Sequence, residues 1–210
     1  MPRVRNLLVT ALCLLPLSRL SAQGVQALDA QVNSIYSVLM GQIIPDLATG
    51  QAEMWAASGD VDHAAMLRAI SGKAKTGVAK PNADLVREVI LAISNSVALS
   101  NKTWTDSAAT STALSNDQFI AGVSDYGRGL HGLSGLKDQL TSLPQLIAGA
   151  TSGLNVFQLR HVKSLIEIGN SLKDGVPTLT TSALSGASAI KSFASSHKIA
   201  IPADLASLFF

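Results

Sequence analysis

The most suggestive run of residues in the chain is Gly127-Arg-Gly129-Leu-His-Gly132, a literal G-x-G-x-x-G. In a dinucleotide site that pattern follows a buried strand and opens a helix, so that backbone N–H groups meet a pyrophosphate. Here the residues before it, Phe119, Ile120, Val123 and Tyr126, recur at helical spacing, and no strand–helix alternation surrounds them. Glycines that serve helix packing or a turn explain the run better. Asp60-x-Asp62-His63 has the oxygens and imidazole of a metal site, yet a helix-capping cluster has the same composition. His63, His131, His161 and His197 are scattered, with no H-E-x-x-H and no paired cysteine, so neither catalytic zinc nor any other cofactor is expected. No G-x-S-x-G elbow occurs, and the carboxylates are too isolated for a glycosidase pair to be drawn from spacing. These absences point to a protein that is not an enzyme.

Asn101-Lys-Thr103 is the single acceptor triplet for N-linked sugar. It falls in a polar stretch, Asn101 to Thr112, that reads as loop or as a weak continuation of the preceding helix. Asn101 is a candidate glycan acceptor if the source is eukaryotic and has no such meaning in a bacterium.

The elements that would position such groups begin with a leader. Arg3 and Arg5 precede an apolar run, Leu7 to Leu15, followed by Pro16 and a short polar end. A bilayer span needs about 20 apolar residues; this run is shorter and has the order of a cleaved export signal. Cleavage after Ala22 or after Gly24 both fit, and residues 1–22 are taken as the signal peptide and 23–210 as the folded domain. Losing Arg3, Arg5 and Arg19 takes Lys+Arg from 16 to 13 against 14 Asp+Glu, so the mature chain is near −1 and presents no cationic face for nucleic acid. Cys13 leaves with the leader. The mature chain is therefore cysteine-free and held by its core alone, and the roughly 187 remaining residues bury enough surface to do so. Its expected location is extracellular: secreted or in a cell wall, or in the periplasm or on the cell surface if bacterial.

Periodicity gives an all-α fold, a single bundle of about six helices. Leu28, Val32, Ile35, Leu39 and Ile43 share one face; Pro45 kinks or ends that helix before Leu47 to Trp55. Asp60 or Asp62 caps the next, whose buried face would carry Met66, Leu67 and Ile70, with Gly72 and Gly77 blurring its end. After Lys80-Pro81-Asn82 comes the clearest stripe: Leu85, Val86, Val89, Ile90, Ile93 and Val97. Ser115-Asn116-Asp117 opens the helix of Phe119 to Tyr126. The glycines from Gly127 to Gly135 mean either a bent helix with a small-residue face or a break, since each costs about 1 kcal/mol in a helix interior. Asn155 opens a helix on Val156, Leu159, Val162, Leu165, Ile166 and Leu172. Gly175 and Pro177 would close it, and a last helix, about Thr180 to Ser196, would bury Leu184, Ile190 and Phe193. The tail is unusually apolar. Leu205, Leu208, Phe209 and Phe210 either dock between helices or offer apolar contact to a surface or partner.

In this overall plan, a leader, a cysteine-free Ala/Ser/Leu-rich chain and helices such as Leu28 to Ile43, Ala64 to Ala79 and Leu85 to Leu99 parted by short polar breaks, the chain resembles the fungal hydrophobic-surface-binding and cell-wall galactomannoprotein family. The resemblance implies a helical, secreted or wall-associated protein that binds apolar surfaces or fatty acids. It carries no binding residue over to this chain. Apolar seams between helices independently allow an acyl tunnel or a surface-spreading bundle, beside a dry core. The expected partners are thus a fatty acid or apolar surface, and components of a wall or envelope. The alternative is a structural or adhesive envelope protein assembling through helix–helix contacts.

Overall fold

Pro45 sits where an uninterrupted α-helix would set its ring against the carbonyl of Gly41, four residues back. The chain meets this with a π turn. In the computed structural model, which describes residues 23–106, 115–152 and 154–209, helix α1 (residues 23–38) passes through a π segment, Leu39–Ile43, into α2 (Ile44–Ala57). Within it the Ile44 N–H donates to the Leu39 carbonyl, five residues back. Pro45 then falls in the first turn of α2, where its missing N–H is not needed. One rod results, bent but not ended. Residues 1–22, on which the expected signal peptide falls, the segment 107–114, Gly153 and Phe210 lie outside the described residues.

Asp60 caps α3 (Val61–Gly77) by accepting the His63 N–H at 3.0 Å. Ala64, Leu67, Ser71 and Ala74 form its buried face, while Met66, expected inside, is 46% exposed. Small side chains let α3 lie close against α2, which turns the larger Met66 outward. The helix passes through Gly72 and ends at Gly77. Asn82 accepts N–H groups from Asp84 and Leu85 and starts α4 (Ala83–Asp106). Its Val86, Val89, Ile90, Ile93 and Val97 are buried as one stripe, with Leu85 half-buried. The Asn101 triplet is helical: α4 carries its first half of the polar stretch on to Asp106.

The Gly127 to Gly135 region is helix first and break second. Helix α5 (Asn116–Gly135) runs through it, and α6 (Lys137–Thr151) starts after Leu136. The glycines admit close contact with α2. A Cβ at Gly50 would lie 2.5 Å from the Tyr126 nitrogen and 2.6 Å from the Gly122 oxygen, and one at Gly122 would meet the Gly50 oxygen at 2.6 Å. Gly129 receives Leu47 and Gly132 receives Ile43 in the same antiparallel seam.

Gly175 and Pro177 do not stop the chain. A single helix, α7 (Val156–Ser196), passes through both. Two observations account for it. Gly175 gives room to Ile90 of α4, whose Cδ1 would lie 2.6 Å from an added Cβ. Pro177 points to solvent, so the carbonyl it leaves without a helix partner is on the wet side. Ile168, Leu172, Val176, Leu179, Ala183, Ala187 and Ile190 make one buried stripe across the supposed break. Leu184, expected inside, is 51% exposed because Ala183 and Ala187 take the seam. Ile90 meets Gly175 and Val97 meets Gly186, so α4 and α7 run parallel.

The protein is all-α: six rods, counting α1 to α2 as one, and a single-turn α8 (Ala203–Ala206), with no strand among the described residues. Rods α1–α2 and α7 are long, and α5 followed by α6 spans a comparable stretch of chain, whereas α3 and α4 are shorter. At one end of the bundle α1, α6 and the start of α7 therefore stand without them: Gly24 packs on Gly149, and Gly169 lies against Val32 and Ile147.

Candidate functional site

The G-x-G-x-x-G run and the Asp60–His63 cluster both take part in helix packing and capping. The G-x-G-x-x-G residues lie inside α5, their N–H groups within helix; Gly127 receives Leu208 and Phe209 on one side while Gly129 and Gly132 face α2 and the π turn on the other. His63 hydrogen-bonds the capping Asp60 through Nδ1 at 2.7 Å and stacks on Trp55, with ring centroids 4.8 Å apart. Among the described residues no group of three or more His, Cys, Asp or Glu is placed to hold a metal ion. The best-formed polar cleft, about 380 Å3, brings Asp46, Thr49, Lys75, Asp125 and Arg128 together from α2, α3 and α5. Sequence spacing gave no hint of it. Burial raises the Asp46 carboxyl above its ordinary range, the Arg128 guanidinium pulls it back, and Asp125 pushes it up again. Arg128 lies 2.6 Å from Asp125 and 3.8 Å from Asp46. The two carboxylates share Arg128, and Lys75 lines the same cleft.

Two tyrosines, Tyr36 and Tyr126, are buried, and the Tyr36 hydroxyl donates to the Gly77 carbonyl at 3.0 Å while the Tyr126 phenol sits between α5 and α7. Its hydroxyl donates to the Ala183 carbonyl at 2.9 Å, beside Gly186, and burial pushes its pKa far above the ordinary value, with Gln51 pulling slightly the other way. It joins α5 to α7 as a neutral hydrogen-bond donor.

Asn101 lies in the α4–α7 seam, half-buried, and its Nδ2 donates to the Ser185 hydroxyl at 2.8 Å. That nitrogen is the atom a sugar would have to take. Of the two readings of this stretch, loop or helical continuation, the helix holds as far as Asp106, with α7 supplying a neighbour at Asn101.

The tail is docked. Phe209 is 8% exposed and stacks on Tyr126 with centroids 6.3 Å apart; Leu205 and Leu208 are half-buried against the same core. Between the tail and α7 lies a groove of about 250 Å3, lined by Ile190, Lys191, Ile199, Ile201 and Phe209 among others.

Large exposed apolar side chains gather instead where α6 turns into α7. Val156 is 68% and Phe157 74% exposed, with Leu159 and Ile166 half-buried beside them. Val156, Leu159, Lys163 and Ile166 line a shallow depression of about 330 Å3 along one face of α7. Helix α4 explains why it is open. It starts at Ala83, two turns before the Ile90–Gly175 contact, and so runs out near Ile168. The same end carries no charge from Gln139 to Leu159, a stretch that takes in most of α6, the turn and the first residues of α7. Val156 was expected in a buried stripe, and the uncharged run is the signal that could have marked this end as different. No helix of the described residues is long and apolar enough to cross a membrane.

No protein-family model matches the chain, and neither a curated protein nor a solved structure matches it.

Proposed function

We propose that the chain is a secreted, non-enzymatic helical protein that binds apolar surfaces or lipid, at a cell wall or envelope, and that it does so through the α6–α7 end of its bundle. The observation that carries the reading is the exposure of Val156 and Phe157 at an end without charge from Gln139 to Leu159. A large apolar side chain in water at the tip of a rigid helix costs free energy that contact with an apolar surface recovers. The leader and the resemblance to the hydrophobic-surface-binding family support the same reading. The groove between α7 and the tail offers a second place for an acyl chain, of roughly medium length by its volume.

Adsorption to alkyl-coated beads tests the proposal. Burial of one Phe side chain is worth about 1.5–3 kcal/mol, so Phe157→Ser weakens adsorption about tenfold to a hundredfold. Phe157 touches little of the core, and helicity stays unchanged. Wild-type protein that leaves the beads in solution contradicts the proposal. Concentration-dependent assembly of the chain without any such surface would favour an envelope subunit joined through helix faces.

A further inference from the structure

We infer that the surface this end takes is a lipid film with anionic headgroups, a reading that rests on the proposal that the α6–α7 end binds apolar surfaces. Amphipathic elements at an interface bury their apolar groups about 5–10 Å into the headgroup and acyl boundary. Helix α7 leads with Val156 and Phe157, and the next charged side chains along it are Arg160 and Lys163, both exposed. At 1.5 Å per residue they stand about 4 and 9 Å along the axis from Phe157. That is the depth of the headgroups when Phe157 sits at the acyl boundary. Their alkyl stems line or border the same depression as Leu159 and Ile166, so each presents apolar length below and charge above.

The carboxylates facing this region are few. Helix α7 has none in its first turn, whereas α2, α3, α4, α5 and α6 have Asp46, Asp62, Asp84, Asp117 and Asp138 in theirs. Glu167, which lines the same depression, lies 3.6 Å from Lys163, about one turn farther along α7 from Phe157. Asp29 on α1 accepts from Asn33 on its own helix. The charge nearest the apolar tip is therefore positive, although the mature chain as a whole is close to neutral and slightly acidic. A cation beside an anionic membrane strengthens binding by about fivefold each, an effect that falls off within a Debye length. Partial neutralisation of Lys163 by Glu167 brings the expected preference for an anionic film to roughly tenfold.

Vesicle flotation decides it, with phosphatidylcholine alone and with phosphatidylcholine doped with phosphatidylglycerol. The full chain is expected to bind the doped vesicles about tenfold more tightly at low salt, with the preference shrinking as salt rises. Arg160→Gln with Lys163→Gln removes the preference and leaves binding to neutral vesicles in place; Phe157→Ser weakens binding to both. Equal binding to the two vesicles, or a preference that survives the double substitution, overturns the anionic assignment. In either case adsorption to alkyl beads that depends on Phe157 leaves the broader apolar-surface reading standing, and failure on beads and on both vesicles removes both. Circular dichroism of each variant separates these outcomes from misfolding.

Discussion

Replacing Gly50 with alanine should destabilise the protein, although alanine is the better helix former. In an open helix interior the exchange gains about 1 kcal/mol. At Gly50 the new methyl would lie 2.5 Å from one backbone atom of α5 and 2.6 Å from another, and neither can swing aside as a side-chain end would. Relief requires α2 and α5 to part by about 1 Å, which also loosens the seats of Leu47 on Gly129 and Ile43 on Gly132. Overpacking of this kind costs about 1–3 kcal/mol, and backbone on backbone belongs at the upper end or beyond. The net loss is about 1–3 kcal/mol. For a domain of this size each kcal/mol moves Tm by about 2–4 °C. Gly72 supplies the control: it lies inside α3, exposed, with nothing within 4 Å of an added Cβ. Gly72→Ala should raise Tm by about 2–4 °C. Thermal and urea unfolding followed by circular dichroism read both variants. Stabilisation by Gly50→Ala comparable to that by Gly72→Ala would refute the close α2–α5 contact on which the bundle rests.

The Glu53 carboxyl is held below its ordinary value of 4.5, first by the Gln118 amide and then by the Arg68 guanidinium at 2.9 Å. A lowered folded pKa favours the charged form in the fold. Its contribution is complete above the unfolded pKa and is lost as pH falls through the folded one, so urea midpoints should drop between about pH 5 and pH 3, less steeply in Glu53→Gln. A second prediction concerns Asn101. With Nδ2 donated to Ser185 in a helix–helix seam, the folded chain offers no free acceptor; protein secreted from a eukaryotic host should show an intact mass without N-linked sugar, and a glycan at Asn101 would mean that attachment precedes the packing of α4 on α7.

What was readable in the sequence follows from where local and tertiary forces agree. The stripe from Val86 to Val97 and its cap at Asn82 are plain because period and cap point to the same helix, and the same holds for Asp60 and α3. Gly175 and Pro177 misled because stop chemistry is local. The long seam of α7 with α4 outweighs it, and the glycine serves Ile90 while the proline faces water. Met66 and Leu184 were placed inside because they are large and apolar at helical spacing, but Ala64, Ser71, Ala74, Ala183 and Ala187 hold the close seams. The tail's apolarity was visible; that it caps Tyr126 was not, because the partners lie in α5, more than seventy residues away. Val156 differs for a related reason. Its periodicity continues a stripe that is buried farther along, and only the length of α4 determines where that burial ends.

On binding, Phe157 is expected to enter an apolar phase. The direct measurement keeps Phe157 and places an environment-sensitive fluorophore beside it on Val156→Cys, in a chain with Cys13→Ser, compared with the same label on Leu91→Cys; Val156 is 68% and Leu91 61% exposed. Adding vesicles should shift emission to the blue and raise its yield at position 156 while leaving position 91 unchanged. Vesicle-bound protein whose label at 156 stays in a water-like environment, or whose two labels respond alike, would contradict it.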